Sequence, residues 1–110
     1  MDFEVGTRRG GERTVITVAG DLDVLTAPRL RDQLIEVIDE GSRHIVVDLT
    51  SCEFVDSSGL SALVTALKRV RSMGGDLDLV CPPGNVRRLI ELVALDQVFN
   101  VYDDAGSSGG

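Results

Sequence analysis

Chemically competent side chains are densest in Val55-Asp56-Ser57-Ser58-Gly59-Leu60, where a carboxylate and two hydroxyls stand between an apolar run and an amphipathic one. Hydroxyls at a helix start meet amides that lack partners within the helix, a setting that accepts phosphate, and a serine there can also serve as a nucleophile. Asp and Ser are equally the preferred N-cap residues, so the local sequence leaves capping, anion binding and nucleophilic readings open. Hydrolysis by Ser57 requires a base within hydrogen-bond reach, and the only histidine, His44, falls at the opposite end of its expected strand. No residue is therefore assigned as catalytic. Cys52, Cys81 and His44 share no paired-ligand spacing, so no metal site is expected. Gly10-Gly11 and Gly74-Gly75 read as a hairpin loop and a helix stop rather than as phosphate-cradling loops, and no cofactor is assigned. Acid pairs can be drawn from Asp21, Asp23, Asp48 and Asp56, but so small a chain leaves little mass for a substrate cleft. A receiver-type acidic pocket is also disfavoured, because Lys68, the sole lysine, lies inside an expected helix and not at a strand end.

The 110 residues fit one compact domain, with 43% hydrophobic and 26% charged residues. A net charge of −7, with ten arginines and one lysine, opposes binding to nucleic acid or to an anionic membrane surface. No run approaches a membrane span, and Met1-Asp2-Phe3-Glu4 has neither the basic start nor the apolar core of a signal peptide, so a cytoplasmic location is expected. Two cysteines in such a chain are expected to be reduced, partly buried small hydrophobes.

Positioning of the Asp56–Gly59 motif requires a strand before it and a helix after it. Residues 44–49, His44-Ile45-Val46-Val47-Asp48-Leu49, are nearly continuous in apolar character and predict a central strand covered on both faces. Leu60, Leu63, Val64, Leu67 and Val70 follow the motif at helical spacing, with Lys68, Arg69 and Arg71 near the negative end of that helix. Upstream, residues 3–7 and 14–19 predict an antiparallel hairpin around a polar, glycine-rich loop from Arg8 to Arg13. Thr26 is placed as a helix cap with Pro28 in the first turn; Leu30, Leu34, Ile35 and Ile38 form the apolar face, and Gly41 ends the helix. Residues 77–81 predict another strand, Pro82-Pro83-Gly84-Asn85 a break, and Val86, Leu89, Ile90 and Val93 a third helix, with Phe99, Val101 and Tyr102 in a last edge strand. The result is an α/β fold: a mixed sheet with an N-terminal hairpin, parallel β-α-β crossovers and helices packed mainly on one face. The domain is expected over residues 1–102, with 103–110 a flexible tail. Asp21, Asp23 and Asp56 to Gly59 all map to the edge formed by strand C-termini and helix N-termini.

Gly20-Asp21-Leu22-Asp23, Thr26-Ala27, residues 44–49 and Phe54-Val55-Asp56-Ser57-Ser58-Gly59-Leu60, in this order and spacing, resemble the bacterial anti-sigma factor antagonists, single STAS domains, over about residues 3 to 102. The resemblance implies a partner switch. An anti-sigma factor that is itself an ATP-dependent serine kinase phosphorylates the serine after the motif's aspartate, here Ser57; the unmodified antagonist binds the anti-sigma factor and releases a sigma factor; a protein phosphatase resets the switch. It further implies that Asp21 and Asp23 shape the docking surface, that Asp56 orients the turn, that Ser58 caps or hydrogen-bonds, and that Gly59 permits close approach. Ser61 departs from the glycine found there in many relatives. The alternative within the resemblance is a stand-alone scaffold or a small-ligand or nucleotide-binding regulatory module. An enzyme using Ser57 as nucleophile would need a base from Asp56 or from another chain.

Overall fold

Period-2 alternation of β-branched residues builds the sheet, and the computed structural model describes residues 2–104. Strands β1 (Glu4–Gly10), β2 (Arg13–Ala19), β3 (His44–Ser51), β4 (Asp76–Val80) and β5 (Asn100–Tyr102) lie side by side in sequence order. β1 pairs antiparallel with β2, and β2, β3, β4 and β5 are parallel in turn. Helices α1 (Ala27–Asp39), α2 (Ser57–Ser72) and α3 (Asn85–Leu92), with a 3-10 turn at Leu95–Gln97, supply the crossovers. The expected hairpin, central β3, crossover helices and short edge strand are all present.

Ile16 and Val18 of β2, Ile45, Val47 and Leu49 of β3, and Leu77 and Leu79 of β4 point to one face. There they form one cluster with Leu30, Leu34 and Ile38 of α1, Leu63, Leu67 and Val70 of α2, and Val86 and Ile90 of α3. Burial of each such side chain contributes about 1.5–3 kcal/mol before the entropy of ordering it. The alternate residues of β3 and β4, among them Val46, Asp78 and Val80, face away from the helices. On that side His44 Nε2 lies 3.4 Å from Asp78 Oδ2, and Asn100 Nδ2 donates to Asp78 Oδ1 at 3.1 Å. His44 thus starts β3 at the end remote from Ser57 and serves a nearly buried carboxylate.

Several local expectations are corrected. β1 continues through Arg8 and Arg9 to Gly10, leaving a two-residue turn, because Gly11 at φ 56° supplies the left-handed backbone that a tight hairpin needs. On α1, Val37 is fully buried while Ile35 is only partly so. Thr26 occupies the N-cap position of α1, yet its side chain makes no cap hydrogen bond to the helix. Val93 is 47% exposed, since α3 stops at Leu92 and the chain turns through Ala94 at φ 61°. Beyond β5, Asp103 pairs with Arg87 at 2.8 Å, so the first residue assigned to the tail is tethered; residues 105–110 of that tail lie outside the described residues.

Candidate functional site

At the C-terminal edge of the sheet the loop after β2 and the turn after β3 are joined by backbone. Leu22 and Val55 form a parallel bridge, the Leu22 amide donates to Phe54 O at 2.8 Å, and the Asp56 amide donates to Leu22 O at 3.1 Å. The Gly20 amide adds a bond to Ser51 O at 3.1 Å. The two acidic segments separated in sequence therefore form one surface.

Asp56 is the N-cap of α2: its backbone is extended, and its Oδ1 accepts from the Ser58 amide at 2.8 Å and the Gly59 amide at 3.2 Å. Capping in this motif belongs to Asp56, and the Ser58 hydroxyl has no hydrogen-bond partner among the described residues. Asp56→Ala is expected to lose about 1 kcal/mol of unfolding free energy, read as a lowered urea midpoint at unchanged m-value, whereas Asp56→Asn retains most of it.

Asp23 performs the corresponding service at the other segment. Its Oδ1 accepts from the Leu25 amide at 2.9 Å and the Thr26 amide at 3.1 Å, while the Thr26 hydroxyl donates to Asp21 O at 2.8 Å and accepts from the Asp23 amide at 2.8 Å. Asp23 and Thr26 fold the loop, and the Asp21 carboxylate remains without a hydrogen bond among the described residues. The loop carries Val24 and Leu25 outward, 66% and 81% exposed. Gly59 is buried; a Cβ there would sit 2.7 Å from Leu22 Cγ and 3.0 Å from Leu22 O, so the close approach it permits is that of Leu22 in its own chain.

Ser57, the first residue of α2, is exposed, and its hydroxyl has no hydrogen-bond partner among the described residues. Ser61 and Thr65 follow it at intervals of four along the same exposed stripe of α2. The stripe divides two open grooves: one of about 440 Å³ against α1, reaching Val24, Pro28 and Arg31, and one of about 410 Å³ toward Lys68, Val93 and Leu95. Sequence reasoning missed the flanking residues Val24, Leu25 and Arg31. The i, i+4, i+8 hydroxyl spacing of Ser57, Ser61 and Thr65 was the available signal.

Cys52 and Cys81 are free thiols buried in this half of the molecule, which agrees with the expectation of small hydrophobes. Burial pushes the Cys52 thiol up, and burial pushes that of Cys81 up to about 11. Both are protonated at neutral pH, a poor state for metal binding or oxidation. Among the described residues no group of three or more His, Cys, Asp or Glu side chains is placed to hold a metal ion, and no helix is long and apolar enough to cross a membrane.

Comparison with known proteins matches the same arrangement. The anti-sigma-B factor antagonist of Bacillus subtilis is 28% identical over 110 residues, covering 100% of this chain and 98% of that protein. The corresponding antagonist of Staphylococcus aureus is 29% identical over 103 residues, covering 94% of this chain and 95% of that protein. The crystal structure of an anti-sigma factor antagonist from Mycobacterium paratuberculosis superposes with a TM-score of 0.88 at 26% identity, over 96% of this chain and 89% of that one. The family model for the STAS domain matches residues 5–108, and the chain belongs to the STAS domain family.

Proposed function

We propose that this protein is an anti-sigma factor antagonist acting in the cytoplasm, and that its affinity for an anti-sigma factor is switched by phosphorylation of Ser57. The reading is carried by Ser57 itself: an exposed hydroxyl with no hydrogen-bond partner among the described residues, held at the start of a helix whose cap is made by its neighbour. Full-length similarity to proteins named anti-sigma-B factor antagonists supports the partner class. In the unmodified state the anti-sigma factor docks over Ser57 and the two flanking grooves, with Val24 and Leu25 as apolar anchors beside Asp21. The sigma factor is thereby released. A serine kinase, which in this reading is the anti-sigma factor, transfers phosphate to Ser57, and a protein phosphatase removes it. In this reading none of the described residues acts as a catalyst: Asp56 Oδ1 accepts from two amides in its capping role, and His44 lies at the far end of β3.

The test is incubation with the cognate anti-sigma factor and ATP, followed by mapping of the modified residue by mass spectrometry. One phosphate on Ser57, absent in Ser57→Ala, is the expected result. Reproducible modification of Ser58 in its place would overturn the site assignment, and hydrolysis of a reporter ester dependent on Ser57 would favour an enzyme.

A further inference from the structure

We propose that Arg31 of α1 is the internal counter-ion for the phosphoryl group on Ser57, so that the modified state is held by a contact between α1 and α2. This rests on the reading of Ser57 as the modified residue. A phosphate at the start of a helix ordinarily finds several free amides, but here those of Ser58 and Gly59 are taken by Asp56 Oδ1 and that of Leu60 by Asp56 O at 3.1 Å, which leaves only the amide of Ser57 itself in the first turn. One amide cannot satisfy a dianion with three oxygens, so the phosphoryl group needs a further partner or must displace the cap. Its immediate surroundings are otherwise acidic, with Asp56 adjacent in sequence and the Asp21 and Asp23 loop bridged to the same turn.

Among the described residues Arg31 is the only cation lining the groove that opens beside Ser57 between the two helices, and it shares that groove with the hydroxyls of Ser58, Ser61 and Thr65. None of these hydroxyls has a hydrogen-bond partner among the described residues. α1 and α2 follow the parallel strands β2 and β3 and so leave the same sheet edge in the same direction. Arg31 lies about one turn into α1, and because Cα–Cβ bonds tilt toward a helix N-terminus, its long side chain leans back toward the edge that holds Ser57. Its present partner is weak: Nη2 lies 3.5 Å from Oδ1 of the adjacent Asp32, with both side chains well exposed at 47% and 74%. A phosphate dianion offers a bidentate, charge-assisted alternative. Lys68 lines the other groove but lies eleven residues along α2, roughly 16 Å at 1.5 Å per residue, beyond the reach of its side chain.

The test uses the full chain prepared with phosphoserine at position 57 by chemical ligation, which makes it independent of any kinase. The second ionisation of the phosphate, ordinarily near pH 6, is followed by ³¹P NMR. Pairing with Arg31 favours the dianion, so Arg31→Gln is expected to raise the midpoint by about 0.5–1 pH unit, Arg31→Lys to restore part of the shift, and Lys68→Gln to leave it unchanged. Coincident titration curves for the parent and Arg31→Gln would overturn the proposal, as would a shift of equal size with Lys68→Gln. Unmodified Arg31→Gln, with the parent's thermal midpoint and circular dichroism, excludes misfolding as the cause. Failure of the kinase to modify Ser57, with the ligated chain still showing the Arg31 shift, would count against the functional reading and leave the pairing standing.

Discussion

Ser57→Asp is expected to bind the anti-sigma factor at least tenfold more weakly than the parent, a loss of about 1.4 kcal/mol or more, and Ser57→Ala to bind within about twofold. Titration calorimetry with the purified partner separates the two. The hydroxyl makes no hydrogen bond among the described residues, so its removal leaves no group unsatisfied and no cavity. A carboxylate at the same position stands next to Asp56, whose Oδ1 already claims the Ser58 and Gly59 amides, and it must be desolvated beneath a docked partner. Phosphorylation places a charge of about −1.5 to −2 there and is expected to weaken binding further than Asp does. The loss should appear mainly in the dissociation rate, with Ser57→Asp unfolding at the parent's denaturant midpoint. A parent-like affinity for Ser57→Asp would remove the basis for a charge-operated switch at this residue.

Among the described glycines, Gly75→Ala is expected to be the most damaging replacement by alanine, costing about 3 kcal/mol by chemical denaturation, while Gly74→Ala costs about 1. A Cβ on Gly75 would stand 2.1 Å from Arg43 O and 2.7 Å from Val70 Cγ2. The Arg43 carbonyl accepts from the Asp76 amide at 2.8 Å, and the Gly75 amide donates to Val70 O at 2.8 Å, so neither the Arg43 carbonyl nor the Gly75 backbone can shift without straining a bond. Gly74 has nothing within 4 Å of its would-be Cβ, and its need is conformational, φ 85°. Against a typical domain stability of about 5–15 kcal/mol, the Gly75 change endangers folding. Equal effects of the two substitutions would mean that the packing seen at Arg43 does not constrain this turn.

These adjacent glycines mark where sequence reading succeeds and where it stops. That Gly74-Gly75 ends α2 is legible from composition; that one glycine serves a torsion and the other a contact with Arg43, more than thirty residues away in sequence, is visible only once β3 and β4 are paired. The strands and helices were legible because β-branched alternation in β2 and helical spacing in α2 are local signals. The extension of β1 through Arg8 and Arg9 was not, because two arginines on an edge strand look like loop residues until the tight turn at Gly11 is seen. At the site, Asp56 and Ser57 could be read from the motif. The burial of Gly59 under Leu22 and the position of Arg31 beside the groove depend on tertiary contacts that no local pattern encodes, whereas the commitment of Asp23 to the Leu25 and Thr26 amides is a local turn that the sequence reading passed over.

The Leu22–Val55 bridge has a consequence for how any enzyme would address Ser57. The surface around the serine is assembled from chain on both sides of α1, locked together by main-chain bonds that exist only in the folded domain. A short peptide copied from residues 54–65 would carry the acceptor but neither the Val24 and Leu25 posts nor the rigid helix start. Under the proposed function the address is therefore a shape and not a linear consensus, and substitutions in the loop before α1 would redirect partner choice while every residue next to Ser57 stays the same.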